Sequence, residues 1–137
     1  MNELETKNPA LRRTGAVFAG LLCVVVLSTG VDAVMHAAGV FPAVGQPMRT
    51  ERWWLAIGYR AVITVLGGWV SARADPSGSM RAVAILTGVG CILGLVGVGV
   101  AVNNPELGPA WYAWGVALTG PPCSWLGGTL NLRTHNR

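Results

Sequence analysis

"TGAVFAGLLCVVVLSTGVDAV", Thr14 to Val34, runs for twenty-one residues with one charged side chain, Asp32. As an α-helix rising 1.5 Å per residue it reaches across a hydrocarbon layer of about 30 Å. Three further apolar runs of similar length follow, Trp53 to Val70, Ala82 to Val102 and Pro109 to Leu130, with the charges clustered between them. The pattern predicts an all-α membrane protein: a single domain over residues 1–137, built as a bundle of four transmembrane helices at about 14–35, 52–73, 81–102 and 109–132.

Composition points the same way. With 52% hydrophobic and 12% charged residues in 137, the chain is too apolar for an ordinary soluble domain. Lys7, Arg12 and Arg13 precede the first run as they would in a secretory signal, but the apolar part is longer than a signal core and no A-x-A site follows, so it reads as a retained helix. Lys7, Arg12, Arg13, Arg73, Arg81, Arg133 and Arg137 fall on one side of the alternating segments, and Arg49 and Arg52 on the other. Basic residues near helix ends resist translocation, which puts both termini and the 73–81 turn in the cytoplasm. The net charge of +4 is then the positive-inside bias and calls for no nucleic-acid partner. Trp53 and Trp54 open the second helix, and Trp111, Tyr112 and Trp114 the fourth; both groups fit an aromatic belt at the outer interface. Residues Met1 to Ala10 read as a solvated lead-in.

The first hairpin can be laid over the second. At an offset of 68, Ala16, Gly20, Cys23 and Leu27 fall on Ala84, Gly88, Cys91 and Leu95; at an offset of 60, Trp54 falls on Trp114, Leu66 to Gly68 on Leu126 to Gly128, and Arg73 on Arg133. This fits two parallel helical-hairpin repeats, and equally chance agreement between two low-complexity apolar segments. Gly90, Gly94 and Gly97 share one face of the third helix, where missing side chains invite close backbone packing within the bundle or in a homodimer seam. Pro121 and Pro122 remove two amide donors from the fourth helix, which predicts a kink with free carbonyls near Ala117 and Leu118.

Arg60 is the costliest residue. About seven residues inside Trp53, its Cα lies roughly 10 Å below the outer interface. An arginine at the membrane centre costs about 2.5–3.5 kcal/mol on insertion scales. Asp32, one turn from the outer end of the first helix, lies at a depth where the two can pair; the freed carbonyls of the fourth helix are an alternative partner for Arg60. The Asp32–Arg60 pair is either structural or a proton or substrate site. His36, one turn beyond Asp32 on the same face, reads as a helix-end histidine bonded to Asp32. A metal would need a third ligand from Glu51, Glu106 or Met35, so no metal is expected. Asn103, Asn104 and Glu106 in the other outer loop, with "GVFPAVGQPM", Gly39 to Met48, complete a polar outer vestibule. Cys23, Cys91 and Cys123 lie inside helices without C-x-x-C spacing, and no P-loop, H-E-x-x-H or G-x-S-x-G occurs, so neither cofactor nor catalytic machinery is expected.

"DAVMHAAGVFPAVGQPM", the "YR" of the second helix, "GGWVSARADP" and "GPAWY" resemble stretches of a group of short bacterial four-helix membrane proteins of unknown function, from about Gly30 to Gly128. The resemblance implies a multi-pass protein of the bacterial cytoplasmic membrane. The helix count is also similar to that of small multidrug transporters, whose mid-membrane glutamate in the first helix has no counterpart here, Asp32 being much nearer the outer face. The expectation is a lipid-embedded bundle without catalysis, acting as a subunit or homo-oligomer, with a small proton-coupled carrier or channel as the alternative.

Overall fold

The computed structural model describes residues 8–136, and all its regular structure is helical. Four long helices follow in order: α1 (Pro9–Ala37), α2 (Thr50–Ala74), α3 (Arg81–Asn103) and α4 (Ala110–His135), with a 3-10 turn at Pro105–Leu107 between the last two. α1, α2 and α3 are long and apolar enough to cross a membrane. Lys7 and Arg137, part of the basic count on the terminal side, lie outside the described residues.

α1 starts five residues before the expected boundary, and the reason is local. The Asn8 side chain accepts a hydrogen bond from the Ala10 amide at 3.2 Å, and Pro9 occupies the first helical turn, where its missing N–H costs nothing. Asn-Pro is thus a start signal, and Pro9 and Ala10 belong to the helix instead of to a lead-in. At the other end Gly39 adopts φ +73°, a left-handed conformation that glycine reaches without penalty. The chain then folds back so that the Val40 and Phe41 amides donate to the Met35 carbonyl at 2.9 and 3.1 Å.

The bundle is built inside out relative to a water-soluble one. Many of its buried positions are small, among them Ala16, Ala56, Ala72, Ala82, Ser71 and Ser124, while the large side chains of Phe18, Leu22, Val26, Ile92 and Leu118 are exposed. A hydrocarbon solvent gives large apolar side chains no reason to hide, so close backbone contact across small residues holds the helices together instead.

α2 and α4 form the most extensive contact and cross at the centre. A Cβ on Gly68 would overlap the Ser124 carbonyl, and one on Gly127 the Val65 carbonyl, so the two backbones touch there. α1 packs on α2 where Gly20 meets Gly67 and Ser71, and α3 packs on α4. At the 73–81 end, α1 and α3 meet through Ala16, Val17, Ala82 and Leu86. Above that cluster they diverge, and the gap between them becomes a cavity.

Of the two roles expected for the α3 glycine face, packing within the bundle holds only at Gly94. Gly94 alone meets a neighbour, at Ala117; Gly90 and Gly97 have open space where a side chain would stand. The packing glycines are instead Gly20, Gly67, Gly68, Gly127 and Gly128. α4 continues as one α-helix from Ala110 to His135 with Pro121 and Pro122 inside it.

Candidate functional site

Asp32 lies in the last two turns of α1 and faces α2 between two consecutive residues. The Tyr59 hydroxyl donates to Asp32 Oδ1, and Arg60 Nη2 donates to Asp32 Oδ2 at 2.5 Å. Side chains of neighbouring helical residues diverge by about 100°, so both reach one carboxylate only because Asp32 stands over the groove between them. The guanidinium carbon sits 5.9 Å from the Tyr59 ring centroid, and the Thr64 hydroxyl donates to the Arg60 carbonyl at 2.7 Å. Asp32 and Arg60 side chains remain about 30% exposed, at 29% and 32%. Both carboxylate oxygens are therefore satisfied from α2, and Arg60 bonds to Asp32, with no bond to the α4 carbonyls among the described residues. Arg60 Nε is enclosed without a partner.

His36 sits one turn above, with its Nδ1 2.8 Å from the backbone carbonyl of Asp32. The bond expected between His36 and Asp32 is thus made to the backbone carbonyl, while Tyr59 and Arg60 hold the carboxylate oxygens. Its ring meets Phe41 edge-on at 5.6 Å, and Phe41 in turn lies 6.4 Å from Tyr59. Phe41 is 7% exposed and anchors the Gly39 to Met48 loop on the site.

Around these groups is a vestibule of about 270 Å³, lined by Asp32, His36, Tyr59, Arg60 and Glu106 with the 41–48 loop. Asn103 and Asn104 do not line it. Their side-chain amides turn back along α3 and donate to the Gly99 and Val100 carbonyls at 2.7 and 2.9 Å, satisfying the helix end. Glu51, weighed as a third metal ligand, pairs instead with Arg49 at 3.2 Å on the surface. Among the described residues no three His, Cys, Asp or Glu side chains converge as a metal site would require.

A second cavity, of about 550 Å³, lies beneath the vestibule between α1, α3 and α4. Its wall is apolar apart from Arg60, Tyr112 and the hydroxyls of Thr64, Thr87 and Ser124, and it includes Gly90, Gly94 and Gly97. Arg60, Leu107 and Tyr112 line both cavities and form the partition. Tyr112 is held by its ring, which packs on Trp53 at 4.6 Å between centroids. Trp53 in turn covers Gly108, whose φ of +139° and contact with the indole leave no space for a side chain.

Sequence reasoning singled out Asp32, Arg60 and His36 and passed over Tyr59 and Tyr112 as site residues. Tyr112 sits where an aromatic belt is expected, and Tyr59 is marked only by its place next to Arg60. Comparison with protein-family models, characterised proteins and solved structures finds no match to the chain.

Proposed function

We propose that this is a four-span integral protein of a bacterial cytoplasmic membrane, with both termini cytoplasmic and no catalysis of its own, which works as a subunit or homo-oligomer. α4 is counted as the fourth span because it packs lengthwise against α2 and α3, both of which are long and apolar enough to cross. Arg73 and Arg81 flank one turn, with Arg12, Arg13 and Arg133 near that end, in keeping with the positive-inside rule. The pairing of α1 with α2 and of α3 with α4, around the α2–α4 crossing, is the layout a parallel hairpin duplication needs. The observation that carries the non-catalytic reading is that each Asp32 carboxylate oxygen is held by a side chain of the same fold, as in a structural pair.

One observation favours a second reading, a proton-coupled carrier: two cavities meet at Arg60 and Tyr112, with an ionisable pair at the junction. A double-mutant cycle separates the two. If the pair is structural, Asp32→Asn and Arg60→Gln each lower stability in detergent by about 1–3 kcal/mol, and the double variant is no worse than either. If Asp32→Asn is neutral or stabilising, the carboxylate is kept at a cost to the fold. The carrier reading then requires pH-dependent flux in vesicles that Asp32→Asn abolishes.

A further inference from the structure

The cavity beneath Arg60 is long. Its lining runs from Leu86 to Ala101 on α3 and from Pro109 to Ser124 on α4. Fifteen residues of helix span roughly 22 Å. The cavity volume of about 550 Å³, spread over that length, makes an elongated trough, open along one side where Val25, Leu93 and Val100 are exposed. Gly90, Gly94 and Gly97 produce this shape: they form a trough in α3 whose floor is backbone, and at Gly90 and Gly97 nothing fills it.

Chemistry changes at one end. Arg60 and Tyr112 stand where the trough meets the vestibule. The guanidinium has five N–H groups. One goes to Asp32, and Nε has no partner. The hydrogen bonds to Asp32 come from Tyr59 and Arg60, and the Tyr112 hydroxyl takes part in neither. Asp32 has both oxygens occupied and Nε is enclosed, so the donors to spare at this end are the remaining N–H groups of Nη1 and Nη2 and the Tyr112 hydroxyl. An arginine fork with a neighbouring hydroxyl suits a carboxylate, which offers two oxygens and no donor.

We propose that the trough holds a single long-chain fatty acid, its alkyl chain along the α3 glycines and its carboxylate on Arg60 and Tyr112. The inference needs the bundle to lie in a bilayer, but neither the subunit nor the carrier reading. An uncharged chain leaves more of the donors unmet.

The test is equilibrium binding of radiolabelled palmitate to the full chain purified in mild detergent, with the oligomeric state measured in parallel. Saturable binding at one palmitate per chain is expected, with methyl palmitate competing at least about tenfold less well. Leucines introduced by Gly90→Leu and Gly97→Leu project into open space, so this double variant keeps the fold while weakening palmitate at least about tenfold. Tyr112→Phe, which keeps the ring on Trp53, weakens palmitate several-fold and leaves methyl palmitate unchanged. The proposal is overturned by palmitate uptake that does not saturate, by equal competition from methyl palmitate, or by unchanged affinity in both variants. A dimer that the two leucines dissociate, with no fatty acid on the monomer, assigns the trough to a second copy and overturns it as well.

Discussion

Asp75 is the most buried carboxylate among the described residues, at 5% exposure. It sits in the turn after α2, where Oδ1 accepts from the Ser77 amide at 3.0 Å and hydroxyl at 2.7 Å, and Oδ2 from the Ala82 amide at 3.3 Å. The last of these satisfies one of the free amides at the start of α3, whose N-cap residue, Met80, supplies no side-chain bond. Burial alone would push this carboxyl up, but the Ser77 and Ala82 bonds and the nearby Arg13 charge outweigh it and hold it below the ordinary value of 3.8. A depressed folded-state value means that Asp75 contributes stability above the unfolded value and loses it as pH falls through the folded one. Thermal unfolding in detergent is expected to show this contribution intact from pH 5 upward and lost below about pH 4. Asp75→Ala lowers stability at neutral pH by about 1–2 kcal/mol and removes that acid-dependent step. An unchanged acid profile in Asp75→Ala would show that the carboxylate is not what holds the turn. Asp32 is legible in the sequence because a charge is conspicuous among apolar neighbours. Asp75 is not, since Asp-Pro-Ser-Gly reads as a solvated turn, and only folding brings Ala82 and Arg13 to it.

At the scale of helices, the sequence places each helix to within five residues, because hydropathy and length are properties of a single segment. Contact partners are properties of pairs, and there the reading is weaker. The α3 glycines attract attention by number, yet the central crossing rests on the Leu-Gly-Gly pairs of α2 and α4, which periodicity does not single out. Gly68→Ala is expected to destabilise by about 1–3 kcal/mol, since its Cβ would meet the Ser124 backbone carbonyl, which cannot rotate away. Gly99→Ala, with open space around it, is expected to be neutral or slightly stabilising through helix propensity. Thermal unfolding of the two variants under identical detergent conditions checks the contrast, and equal shifts would remove the backbone crossing as the source of stability.

Over the whole molecule, the outward display of Phe18, Leu22, Ile92 and Leu118 and the inward packing of Ala, Gly and Ser match a bundle dissolved in lipid. The arginine distribution predicts its direction. Alkaline phosphatase, active only after export, is expected to be active when inserted after Gly45 and inactive when fused after Arg137 or inserted after Gly78. The opposite pattern would invert the topology and place the vestibule in the cytoplasm.

The central place of α4 has a consequence for biosynthesis. α2 ends at Ala74 and its main partner begins at Ala110. At about 5–20 residues per second, the ribosome needs roughly 2–7 s to make the intervening chain. Throughout that interval a newly inserted α2 has α1 on its Gly67 side but no α4 on its Gly68 face. Nascent chains on one polysome expose this face to each other during the same seconds, so exchange of the last helix between neighbouring copies is the error this order of synthesis invites.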